Sequence, residues 1–479
     1  MMNTNTAKNT SLLIEMSFTK AACGFFIPLS TVIALVLNGA PIVVALLSAI
    51  VVSCFFSLYL GYKWDDIQES ALKGVSRVFS ATFMMILVGM MIAVWIESGS
   101  VPTLLYYGIN FINPTYFLPL TFLVCLITSM TIGTSWGTAG TVGLALIGVS
   151  GGLGIPLPIT AGAIISGALV GEKLSPISST TILTAANTGV NLTDHIISML
   201  NTTIPATLIS LLLFTYLGFT HMGNATTSVE SIVILADGLK SNFNISPILL
   251  IPPVFVLVLS AMRKPAIPVF IGGIVLGGAC ALIFQKTSFT SVLNASISGY
   301  KISSGISSID ELLNRGGAIS MASTVYLCIC AGMFSGILDK QGILSTLMNK
   351  LLTYAKSTGG LILSTTIACL VLMLGGAGQY CTLTLPGIAF RKSYEERDVH
   401  PCVLGRTMED SGTMVGSIIP WDVSAFYYSS ILGVSMLDYA PYTFIGYMTP
   451  FISVLCAYLG VGVFRINQEI RPLTLRAAI

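Results

Sequence analysis

Charge is what this sequence has least of. Asp, Glu, Lys and Arg make up 9% of its 479 residues, against about 25% in a soluble domain, which excludes a water-facing globule. The net charge of +2 is spread through short segments, and without a basic stripe there is no footprint for nucleic acid. Histidine occurs three times, at His195, His221 and His400. The ten cysteines contain no CxxC pair and sit mostly inside apolar runs, as do Cys125, Cys328 and Cys369. They read as small packing residues rather than as metal ligands or disulfides. The first apolar run, about residues 21 to 37, lacks a small-residue cleavage site and leads straight into another span, so it reads as a retained helix.

Apolar residues, by contrast, are abundant: 54% of the chain is hydrophobic and mean hydropathy is +0.87. Runs long enough to cross roughly 30 Å of hydrocarbon lie near 21 to 37, 41 to 61, 78 to 97, 195 to 217, 248 to 261, 266 to 284, 318 to 339 and 441 to 463. Four further segments are interrupted. Residues 115 to 152 and 360 to 391 each contain a glycine-rich polar patch, Gly133-Thr134-Ser135-Trp136-Gly137-Thr138 and Gly375-Gly376-Ala377-Gly378-Gln379-Tyr380, and read as re-entrant hairpins. Residues 157 to 187 and 403 to 431 are too long and too polar at the middle for one clean helix and read as broken spans.

The second half repeats the first. At an offset of 244, Gly189 to His195 pairs with Gly433 to Tyr439, Pro176 with Pro420, Thr138 with Thr382 and Trp136 with Tyr380. Further upstream the offset drifts to 243, pairing Gly99 with Gly342, and then to 242, pairing Ile67, Glu69 and Gly74 with Ile309, Glu311 and Gly316. Five crossings plus one hairpin per half invert the second copy. The predicted fold is therefore all-α and polytopic, with two inverted repeats, about ten transmembrane helices and two re-entrant hairpins. This is the outline of a secondary transporter.

Loop charge gives the orientation, since Lys and Arg in short loops mark the cytoplasmic side. Residues 98 to 114 hold neither, whereas the matching loop carries Lys340, Lys350 and Lys356; likewise Asn38-Gly39-Ala40 answers to Met262-Arg263-Lys264. Equivalent loops thus face opposite sides. With Lys8 and Lys20 inside, the tail residues Arg465, Arg471 and Arg476 are inside too, although the long loop 285 to 317 would lie outside. The reading is a multi-pass protein of the cell membrane, both termini cytoplasmic: a segment 1–20, a first repeat 21–218, a connecting loop 219–247, a second repeat 248–464 and a tail 465–479.

Backbone broken at membrane depth is tolerated only where it is buried in protein or lines a wet cavity, so four breaks at matching places point to one central site. Freed carbonyls and hydroxyls are hard donors suited to an alkali cation, and half-helix N-termini attract anions. Candidates in the first half are Thr134, Ser135 and Thr138 at the hairpin break, then Ser175, Ser178, Ser179, Thr180, Thr181 and Asn187 around Pro176. In the second they are Gln379, Tyr380 and Thr382, then Glu409, Asp410, Ser411, Thr413, Trp421 and Asp422 around Pro420. The carboxylates discriminate most, because a charge at the bilayer centre costs roughly 2.5 to 3.5 kcal/mol. Glu409, with Arg406 three positions earlier, reads as a structural ion pair or as a site carboxylate, and Glu172 with the adjoining Lys173 reads as self-neutralising scaffold or as site; Asp410 and Asp422 have no local partner and are the foremost cation or proton ligands. Asp194 and Asp438, which begin the final spans, read as helix N-caps.

The stretches Gly133 to Thr141, Thr160 to Gly167, Gly171 to Thr181, Arg406 to Thr413 and Ile419 to Trp421 resemble those of the NhaC-type sodium/proton antiporters, over about residues 25 to 465. The resemblance implies hairpins and unwound helices in a transport domain that moves against a scaffold like an elevator, and assembly as a homodimer. It also implies Na+ and H+ as transported ions rather than cofactors; in the preferred mechanism Na+ is held among Asp410, Ser178, Thr180 and Thr413, and a proton competes for the same carboxylate. This chain departs from the family pattern at Ser179 and Gly378, where the family usually has acids, and at Asp422, where it usually has asparagine. With two acids lost and one gained, the alternative is a coupled carrier of a small organic acid or amino acid, contacted by Gln379, Tyr380, Trp421 and Asn187. A remote alternative is an intramembrane serine hydrolase, since Gly133 to Gly137 matches G-x-S-x-G. That chemistry needs a base near Ser135, and the matching Gln379 of the repeat argues for a backbone break instead. A channel ranks below a carrier because the site reads as central and closed from both sides.

Overall fold

The computed structural model describes residues 16–111, 113–222, 229–262, 264–467 and 470. Lys8, Arg263, Arg471 and Arg476, part of the orientation argument, lie outside them. Among the described residues the regular structure is helical, apart from one isolated bridge between Val399 and Arg465. Eight helices are long and apolar enough to cross a membrane, or up to ten if each of two sharply bent pairs, Ile234–Asn242 with Pro247–Ser260 and Met436–Tyr442 with Phe444–Leu459, is one span.

The internal repeat recurs in the backbone. Gly99 and Gly342 both take left-handed φ, +78° and +68°, as do Gly133 and Gly376, +80° and +72°, and Gly189 and Gly433, +67° and +69°. Each pair ends a helix or breaks a hairpin, where a Cβ would be strained. Helix Ser179–Thr188, closed by Gly189, answers to Val423–Leu432, closed by Gly433. The segments expected as plain loops contain helices of their own, Ser100–Phe111 and Ile343–Tyr354 at matching positions. Another helix begins at Trp64, well before its apolar run at 78, because the Lys63 N–H bonds Asp66 (3.4 Å) and Glu69 pairs with Lys73 one turn on (2.6 Å).

Helices Phe18–Leu37, Ile42–Tyr59, Trp64–Glu97, Ala266–Phe284 and Ala322–Lys340 pack together as one group. The elements that carry the four breaks form the other, with Phe117–Ile132 lying along Leu157–Leu174 and Thr358–Leu374 against Gly378–Glu395. Both groups are held by glycine contacts, which let helices approach where lipid supplies no hydrophobic drive. A Cβ on Gly74 would fall on the Gly332 carbonyl and one on Gly336 on the Ser70 carbonyl; Gly167 and Gly171 meet the Phe122 and Leu126 carbonyls in the same way. Gly332/Gly336 and Gly167/Gly171 are small-xxx-small pairs. Gly74→Val is therefore expected to destabilise the fold by about 1–3 kcal/mol through overpacking. An unchanged melting temperature in detergent would show that the two helices separate freely.

Candidate functional site

The first broken span runs as Leu157–Leu174, a break around Pro176, then Ser179–Thr188; the second as Pro401–Met408, a π-helical turn Glu409–Thr413, a 3-10 turn Gly416–Ile418, then Val423–Leu432. The wide π turn, a form that concentrates at functional sites, sends two consecutive acids to different partners. Glu409 accepts from Thr184 at 2.9 Å and from Thr413 at 2.8 Å. Asp410 turns the other way. Its Oδ1 pairs with the Lys173 ammonium and accepts from Thr202 at 3.0 Å, with both charged side chains fully buried. Asp410 Oδ2 and the Ser411 hydroxyl are buried with no hydrogen-bond partner among the described residues.

This geometry decides two alternatives that the sequence left open. Glu172 and Lys173 do not neutralise each other: Lys173 reaches Asp410, while Glu172 accepts from Ser135 at 2.5 Å, and Ser135 in turn accepts from Tyr428 at 2.8 Å. Nor does Arg406 pair with Glu409, since its Nη1 donates to the Gly462 carbonyl at 2.7 Å. Glu172 and Lys173, adjacent in sequence, leave their helix about 100° apart; Arg406 and Glu409 are spaced to share a face, yet Arg406 is drawn to the Gly462 carbonyl and Glu409 to Thr184 and Thr413. Asp194 and Asp438 stand in the first helical turn rather than at the cap. Asn191 bonds the Thr193 N–H at 2.9 Å instead.

Several polar candidates are already bonded to backbone groups. Thr138 donates to the Thr134 carbonyl, Thr382 to Gly378 and Ser175 to Met130, while the Thr134 hydroxyl caps Gly137. Ser178 and Thr180 bond each other at 2.9 Å, and neither they nor Thr413 hydrogen-bonds Asp410. Thr181 donates to the Lys173 carbonyl at 3.1 Å, holding the break against the charged residue. Asn187 ties the first broken span to Leu383 and Thr384 of the second hairpin, both at 3.1 Å. Trp421 is buried with its indole N–H on the Leu374 carbonyl at 2.8 Å.

A cavity of about 470 Å³ lies beside the second hairpin break, lined by residues of Trp64–Glu97 and Ala322–Lys340, by residues between Gly376 and Leu385 and by Asp422 to Ser424. Trp136, Gln379, Tyr380, Ser424 and Asp422 line it, as does Arg77. Asp422 caps helix Val423–Leu432, its Oδ1 accepting the Ser424 N–H at 2.8 Å. Gln379 donates to Ser424 at 3.1 Å, and the Tyr380 and Ser179 hydroxyls meet at 3.4 Å. Trp136 stacks on Tyr427 at 4.4 Å between centroids. Arg77 bonds Asp339 at 2.6 Å and shares a smaller charged cleft with Asp66, Glu69, Lys73 and Lys340.

Sequence reasoning left Lys173 open between scaffold and site and missed Thr184, Thr202 and Arg77. A cation within an apolar run was the available signal for Lys173. The two threonines carried none. His195, placed by sequence at a span end, is fully buried against Gly405, with neither ring nitrogen hydrogen-bonded among the described residues.

Comparison with known proteins bears on what these groups do. The profile of the Na+/H+ antiporter family matches residues 2–198 and 183–461. The chain is 37% identical over 428 residues to the Na(+)/H(+) antiporter NhaC of Alkalihalophilus pseudofirmus, covering 88% of this chain and 90% of the relative. It is 36% identical over 420 residues to the malate-2H(+)/Na(+)-lactate antiporter of Bacillus subtilis, with the same coverage. Identity to the arginine/ornithine antiporter ArcD of Halobacterium salinarum is 32% over 413 residues, 86% of this chain and 85% of the relative.

Proposed function

This chain belongs to the Na+/H+ antiporter family, and from that premise we propose that it exchanges Na+ for H+, with Asp410 as the carboxylate for which the two compete. It is a multi-pass membrane protein and a secondary antiporter, not an enzyme. The observation that carries the finer reading is the Asp410 carboxylate itself: fully buried, one oxygen held by Lys173 and Thr202, the other without a partner among the described residues. An anionic oxygen left bare in a low-dielectric interior is costly, and either a proton or a hard cation relieves it.

Lys173 gives the unloaded carrier a counter-charge. Sodium approaching Oδ2 draws on oxygen ligands, the Ser411 hydroxyl being the nearest in sequence without a partner among the described residues, and weakens the hold of the ammonium on Oδ1. A proton neutralises the carboxylate outright. Competition at one carboxylate gives exchange when the empty carrier does not cross and the loaded one does, because each ion must then leave before the other binds. Any charge carried through the field is driven by roughly 2.3 kcal/mol per 100 mV. The orientation with both termini inside, an elevator movement and a homodimer belong to the same proposal and rest on loop charge and family resemblance.

The test is transport by purified protein in sealed liposomes that hold an internal pH dye and an acid interior. Added Na+ is expected to raise the internal pH. Vesicles that answer to none of Na+, Li+ and K+, yet respond to an added ionophore, would end the cation/proton reading.

A further inference from the structure

We propose that the cavity beside the second hairpin break is a solute site for a small zwitterion of amino-acid size, with the carboxylate on Arg77 and the ammonium on Asp422. It goes beyond exchange at Asp410, and neither depends on the other.

Size is the first argument. A cavity of about 470 Å³ falls within the range of small-molecule pockets, roughly 300 to 1,000 Å³, and is far larger than the single oxygen shell a sodium ion needs. Charge is the second. The cavity is lined by a cation and an anion from different elements: Arg77 from helix Trp64–Glu97 and Asp422 at the cap of Val423–Leu432. The Arg77 guanidinium gives one nitrogen to Asp339, and a planar fork of five donors leaves the others for a carboxylate. Asp422 is 3% exposed and commits Oδ1 to the Ser424 N–H, so its remaining lone pairs serve an ammonium. A solute with carboxylates alone would set like charge against Asp422, and an amine alone would leave Arg77 unused.

The repeat supplies the third argument. Trp136 and Tyr380 occupy the same position in the two halves, and the fold brings both to this cavity. They offer apolar faces to the carbon skeleton, while Gln379 and Ser424 supply neutral hydrogen-bonding groups.

Cys381 also lines the cavity and reports its occupancy. In full-length protein carrying Cys23→Ser and Cys54→Ser, the other two cysteines that are not buried, alkylation of Cys381 by N-ethylmaleimide is followed by mass spectrometry in sodium-free buffer. The probes are glycine, L-alanine, L-arginine and L-glutamate, against L-lactate, L-malate and ethylamine. At least one amino acid is expected to slow labelling about tenfold, with the other three compounds ineffective at equal concentration. Arg77→Gln and Asp422→Asn should each raise the half-protecting concentration by about tenfold or more. Discrimination within the panel by the unsubstituted site needs neither variant to fold. Absence of protection by any amino acid overturns the proposal. So does protection by lactate that survives Asp422→Asn, or by ethylamine that survives Arg77→Gln. Protection in protein that shows no sodium-dependent proton movement supports this site and removes the exchange reading, and the opposite pattern does the reverse.

Discussion

Asp410→Asn in sealed proteoliposomes abolishes sodium-dependent proton movement, lowering its rate by at least about a hundredfold. Asparagine keeps the shape and can still accept from Thr202, but it has no charge for Na+ and no site for the transported proton. Loss of a buried charge-assisted partner costs roughly 2–5 kcal/mol, and about 1.4 kcal/mol corresponds to each factor of ten. The same change leaves Lys173 facing a neutral amide in a fully buried site, so stability must be read beside transport. Asp410→Glu is the control: it retains the charge and is expected to retain measurable exchange with altered Na+ affinity. Wild-type exchange by Asp410→Asn would exclude this carboxylate as the shared site and turn attention to Asp422, which faces the cavity.

Lys173→Met is expected to have the largest effect on stability. Removing one partner of a buried pair leaves the other as an uncompensated charge, at a cost of roughly 3–5 kcal/mol. Thr202 is the side chain still bonded to Asp410 Oδ1 in that variant, and a neutral hydroxyl does not replace an ammonium. The double variant Lys173→Met with Asp410→Asn should melt close to the wild type, since no bare charge remains and methionine fills the space of the lysine stem. That non-additivity is the signature of a direct pair. If the two losses simply sum in detergent melting experiments, the contact is not energetically coupled.

How much of the site is legible in the sequence differs residue by residue. Glu409, Asp410 and Asp422 stand out because a carboxylate in an apolar run is costly to place there and marks an ion or solute path. The breaks near Gly133, Pro176, Gly376 and Pro420 are legible from glycine and proline, and left-handed φ at Gly133 and Gly376 fits them. By position Trp421 and Asn187 read as solute ligands, but their side chains bond the backbone of Leu374 and Leu383. Nothing in the one-dimensional pattern shows which way such a side chain turns.

The sequence by itself determined the membrane class, the duplication and the places where the helices break. Each of these is a property of local composition, written in runs of apolar residues and in glycines that recur at a fixed offset. Tertiary structure alone decided which charges meet. Lys173 and Asp410 are 237 residues apart, and Trp136 and Tyr380 come to one cavity from different halves. Those meetings depend on how closely helices cross at Gly167 and Gly171 and at Gly74 and Gly332, and on a π turn that rotates Asp410 away from Glu409. They are three-dimensional because a buried charge is stabilised by whatever lies within a few ångströms of it, not by its neighbours along the chain.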